Sequence, residues 1–116
     1  MLHSKYLSIL QEYKVNLRRL TLKYQKLKVI KQRYYNGELT KQELEQYGYE
    51  PYLFKRPLKA EMEALLDGDH ELIELQEKSL YIDGLVSATE SIMKDIGNRY
   101  FLFRSLVDYE KFLSGA

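Results

Sequence analysis

From Leu2 to Tyr34 the apolar residues recur at steps of three and four: Leu2, Tyr6, Ile9, Tyr13, Leu17, Leu20, Tyr24, Leu27, Ile30 and Tyr34. The first 36 residues hold no Gly or Pro, so this spacing predicts one amphipathic helix of about nine turns. A helix that long outruns the cover a small domain can give it, and its stripe must meet another helix or another subunit. Asn36-Gly37 ends it, because Gly takes up the left-handed cap without steric cost.

The rest of the chain punctuates itself. Thr40 followed by Glu43 is a capping-box pattern and starts a short helix that ends near Gly48. Tyr49 to Pro57 reads as an ordered linker, since each of Pro51 and Pro57 pushes its predecessor toward extended geometry while four large apolar residues anchor the segment. A helix restarts at Leu58 and runs to about Leu66, where Asp67-Gly68 breaks it. Asp69 is then an N-cap with Glu71 in the first turn. From there Leu72, Leu75, Ser79, Ile82, Val86, Thr89, Met93 and Ile96 alternate steps of three and four as a coiled-coil-like seam does. Gly97-Asn98 predicts a break or kink. After it a final helix, residues 100–113, is apolar nearly all round, and this predicts oligomerisation through Phe101, Phe103, Leu106, Val107 and Phe112. No strand-like alternation occurs. The fold class expected is all-α, a single helical domain over residues 1–116: a basic helix to 36, a turn, short helix and linker over 37–57, and C-terminal packing and assembly helices over 58–114.

Composition narrows the function by exclusion. With no Cys there is neither a disulfide framework nor a thiolate metal site, and His3 and His70 stand apart from any ligand cluster, so neither metal nor cofactor is expected. No apolar run reaches membrane-spanning length, and the first five residues lack a signal-peptide layout. A cytosolic protein without membrane partners is expected. No phosphate-binding Gly loop or paired nucleophile occurs, so no enzyme is expected. Glu61 with Glu63 and Asp67 with Asp69 read as an exposed helix face and a turn rather than as catalytic carboxylate pairs.

The net charge of +1 hides a division. Residues 1–36 carry nine Lys/Arg against Glu12 alone, whereas residues 37–116 carry nine against sixteen Asp/Glu. A cationic first half points to a polyanion, or to an acidic protein partner of a structural helical adaptor. Arg19, Lys26 and Arg33 are seven apart and form a row along the helix, with Lys28 and Lys31 nearer the margin of the apolar stripe. Such a row tracks a phosphate backbone without reading sequence. Of the eleven Tyr, those on the stripe belong to packing; Tyr35, off the stripe and close to Arg33, is the candidate for stacking on a base. The strand would then follow Arg19, Lys26, Lys28, Lys31 and Arg33 toward Tyr35.

Three stretches in order carry a resemblance. The first is Lys31-Gln32-Arg33-Tyr34-Tyr35-Asn36-Gly37, continuing through Leu39 to Leu44 and Tyr49-Glu50-Pro51; the second is Leu58-Lys59-Ala60-Glu61-Met62; the third runs from Asn98-Arg99-Tyr100-Phe101 through Asp108 to Gly115. Together they resemble the UvsY-type recombination mediators of T-even-like phages over nearly the whole chain. The resemblance implies a ring-like helical homo-oligomer, without enzymatic activity, that binds single-stranded DNA in the host-cell cytoplasm. It also implies two protein partners, the phage single-strand-binding protein and the phage recombinase that it helps to load. Departures are local. The Lys-x-Arg pair that members place before the Tyr-Tyr falls here on Val29 and Lys31, with Lys28 as the nearest substitute for the first. Many members have Gly where this chain has Tyr100, and some carry a further N-terminal segment of about one long helix.

Overall fold

Each helix begins and ends where backbone chemistry requires. In the computed structural model, which describes residues 2–115, the chain forms α1 (Leu2–Tyr35), α2 (Lys41–Tyr47), α3 (Lys59–Asp67) and α4 (His70–Gly115), with no strand among the described residues. The side chains of Leu2, the first step of the stripe, and of His3 lie outside the description. Gly37 and Gly48 take φ values of 71° and 72°. Past each, a backbone N–H reaches back five residues, Glu38 to Arg33 at 2.8 Å and Tyr49 to Leu44 at 2.9 Å, closing α1 and α2 with Schellman geometry. Thr40 Oγ1 accepts from the Glu43 N–H and the Glu43 carboxylate accepts from the Thr40 N–H, so the expected capping box is present. Asp69 Oδ1 accepts from the Leu72 N–H at 3.1 Å and caps α4.

The expected break at Gly97-Asn98 does not occur, and α4 is continuous from His70 to Gly115. An interior Gly costs a helix only about 1 kcal/mol, and the turns on either side absorb that cost.

Two compact units are distinguished: Leu17–Leu80, and residues up to Asn16 with those from Tyr81 onward. In the Leu17–Leu80 unit α1 and α4 run antiparallel, since Tyr24 meets Gln76 while Lys31 meets Asp69. Leu66 and Leu72 are buried there, Leu72 with only 1% exposure. In the other unit Leu10, Val86 and Thr89 are buried, and Lys14 pairs with Glu90 across the two helices. Counting back from Lys14 to the start of α1 carries its partner on α4 only to about residue 100. Beyond that point Phe101, Phe103, Leu106 and Phe112 of α4 are exposed while Val107 is half-buried.

Burial along α1 follows Tyr6, Leu10, Tyr13, Leu17, Leu20, Tyr24, Leu27, Lys31 and Tyr34, an unbroken four-three alternation. It matches the seam of α4, where all eight expected positions from Leu72 to Ile96 are buried or half-buried. Two α1 positions differ from the sequence reading: Leu10 is more buried than Ile9, and Lys31 than Ile30.

Candidate nucleic-acid interface

A lysine on a heptad seam must bring its counter-charge with it. Lys31, 6% exposed, places its ammonium 3.2 Å from Asp69 and 3.5 Å from Glu71. The Tyr49 ring lies under the same ammonium at 4.2 Å. Tyr35 donates its hydroxyl to Asp69 at 2.6 Å and Tyr49 donates to Glu71 at 2.9 Å. Burial pushes both phenols up, and their bonds to carboxylates add to the shift. Burial alone would raise the Asp69 carboxyl, but hydrogen bonds from Tyr35, Leu72 and Lys31 outweigh it and hold the group below its ordinary value. Asp69 is therefore not the exposed turn carboxylate its sequence neighbourhood suggests. Tyr35 packs edge to face with Tyr34 and with Tyr52, and Tyr34 and Tyr52 meet at a tilt, with centroids 5.2–5.5 Å apart.

Arg33 is also engaged within the fold. Its guanidinium meets the Glu43 carboxylate through two bonds of 2.7 Å. This bidentate pair raises the Arg33 pKa and, with the Thr40 N–H, holds the Glu43 carboxyl at about 2. α2 is thereby pinned to the end of α1 by the same carboxylate that completes its cap.

Arg19, Lys26 and Lys28 are exposed and make no ion pair among the described residues. Arg19 and Lys26 share one flank of α1 with Arg33. Lys28 does not. At 100° per residue it lies roughly 160° round the axis from Lys26, on the flank of Gln32 and Asn36. Those three residues line an open cleft of about 560 Å³ whose other wall includes Arg56, Lys59 and Met62. Of the six residues expected to meet a strand, then, Arg19 and Lys26 stand on one flank, Lys28 faces a cleft, and Lys31, Arg33 and Tyr35 are tied to acidic partners inside the fold. Arg56 and Lys59 escape a sequence reading centred on α1, for they come from the linker and the first turn of α3. The burial of Lys31 did leave a signal: extending the four-three steps from Leu20 through Tyr24 and Leu27 lands on it.

Among the described residues no group of acids and histidines is arranged to hold a metal, and no helix is long and apolar enough to cross a membrane. Neither the curated proteins nor the solved structures contain a match to this chain. The family model described as "Recombination, repair and ssDNA binding protein UvsY" matches residues 1–116, the whole chain. A long N-terminal helix with cations along its outer surface, and a match from the first residue to the last, lead to one conclusion: this chain belongs to the UvsY family of recombination, repair and single-stranded-DNA-binding proteins.

Proposed function

We propose that this protein is a recombination mediator, which binds single-stranded DNA and helps a phage recombinase assemble on DNA covered by single-strand-binding protein in the host-cell cytoplasm. The full-length family match carries this reading. Exposed Arg19, Lys26 and Lys28 supply the phosphate contacts, and the Lys31 and Arg33 ion pairs hold α1 against α4 and α2 so that those contacts stay in register. Copies joined through the apolar face of residues 100–113 form a ring-like homo-oligomer that sums a few cations per subunit into one strong, salt-sensitive site. The role calls for no chemistry on a bound substrate, and the protein acts as a binding module rather than an enzyme.

The test is recombinase assembly on an oligonucleotide saturated with single-strand-binding protein, followed by the recombinase's DNA-dependent nucleotide hydrolysis. Adding this protein shortens the lag, and Arg19→Ala/Lys26→Ala restores it. A lag unchanged by the parent protein contradicts the mediator role.

A further inference from the structure

The cleft that Lys28 lines gathers three cations from three separate segments. Lys28 comes from α1, Arg56 from the linker and Lys59 from the first turn of α3. Lys28 and Lys59 make no ion pair among the described residues. Arg56 has one ion pair among the described residues, to Glu38 at 3.4 Å, with the two side chains 71% and 46% exposed. A pair so open is worth little, and a phosphate that accepts two bonds from the guanidinium fork displaces it readily. Gln32 and Asn36 add amide donors and acceptors, which fit an edge of any base. Met62 and Leu66 supply an apolar floor. The volume lies within the roughly 300–1,000 Å³ typical of small-ligand sites, so the cleft has room for one nucleotide unit and not for a helix or a folded partner.

We propose that this cleft holds one nucleotide of the bound strand, its phosphodiester gripped by Lys28, Arg56 and Lys59 and its base laid on Met62 between the Gln32 and Asn36 amides. The proposal rests on the single-strand-binding reading and adds to it a second track on the opposite flank of α1. No aromatic ring lines the cleft, so the base is held by apolar contact and adaptable hydrogen bonds, which tolerates any sequence. Glu63 and Asp67 also line it and oppose the phosphate. Their neutralisation therefore tightens binding, an effect opposite in sign to removing the cations.

Because the chain has no Cys, Met62→Cys places a single thiol in the cleft, whose reaction with a maleimide can be timed. Saturating single-stranded oligo-dT slows labelling several-fold, and inorganic phosphate or thymidine monophosphate at equal phosphorus concentration does not. Should Met62→Cys lower the helicity, Glu63→Cys carries the same label. In parallel, Arg56→Ala/Lys59→Ala lowers the salt slope of oligo-dT binding by roughly 1.4 per engaged subunit without changing helicity, while Glu63→Gln/Asp67→Asn strengthens binding. A thiol equally reactive with and without oligo-dT overturns the cleft assignment. So does a double variant that keeps the parent slope while Arg19→Ala/Lys26→Ala lowers it, an outcome that leaves the mediator reading standing. Protection by phosphate alone assigns the cleft to a free anion and also overturns the proposal. Failure of the parent protein to bind oligo-dT overturns the single-strand reading itself.

Discussion

Lys31 and Lys28 lie three residues apart and are assigned opposite work. The Lys31 ammonium is enclosed by Asp69, Glu71 and the Tyr49 ring, whereas Lys28 is exposed at a cleft. Removing one partner of a buried pair strands the other charge, at a cost of about 3 kcal/mol or more. Lys31→Met therefore lowers stability by that order in urea unfolding and leaves the salt slope of the folded fraction unchanged. Lys28→Met leaves stability unchanged and lowers the slope by roughly 0.7 per engaged subunit. A Lys31→Met protein of parent stability with a reduced slope would put this ammonium on the strand instead. Glu43 sets a pH dependence of defined sign. Its folded value of about 2 lies below the ordinary 4.5, so the stabilisation it gives α2 is complete above about 4.5 and is lost as pH falls toward 2. Amide signals of α2 should follow that acid transition, and Glu43→Gln should remove it. A Glu43 carboxyl that titrates near its ordinary value would mean the Arg33 pair is not formed in solution.

Helix boundaries were legible because they depend on neighbours in sequence. Gly37, Thr40 with Glu43, Gly48 and Asp69 each act within five residues, and each does what its local pattern implies. Gly97 does not end its helix, because this residue type does so only where the backbone turns left-handed, and nothing local to Gly97 forces that turn. A Cβ added at Gly97 meets nothing within 4 Å, and its φ is not in the left-handed region; Gly37 and Gly48 are equally open but sit at positive φ. Gly97→Ala should therefore raise thermal stability by up to about 1 kcal/mol, while Gly37→Ala and Gly48→Ala lower it. A destabilising Gly97→Ala would point to close packing at that position in the assembled protein. The candidate site was legible in part. The cationic bias of α1 shows in its composition, but the partners that occupy Lys31 and Arg33 come from Asp69, Glu71 and Glu43, and Arg56 and Lys59 reach the cleft only through the path of the linker. Pairings over such separations depend on packing, which periodicity along one helix does not encode.

For the whole molecule, the unmatched end of α4 decides how binding strength is built. Phe103 and Leu106 are each 65% exposed, on a helix that outlasts its partner. Phe103→Asp/Leu106→Asp should give smaller species by sedimentation and weaker DNA binding, since two charges would be desolvated at each subunit contact and multivalency lost. An unchanged sedimentation coefficient would remove this segment from the assembly. If cations on the outer surface of α1 bind the backbone of a single strand, oligonucleotide affinity measured against salt concentration reports their number. Affinity for a single strand should exceed that for a duplex of equal length, vary little with base sequence and fall steeply with salt. Arg19→Ala/Lys26→Ala/Lys28→Ala should lower the slope by roughly two per engaged subunit, while Lys78→Ala/Lys94→Ala/Lys111→Ala changes it less. Equal affinity for duplex and single strand, or a slope reduced only by the second set, would mean that the cations of α1 do not carry the strand.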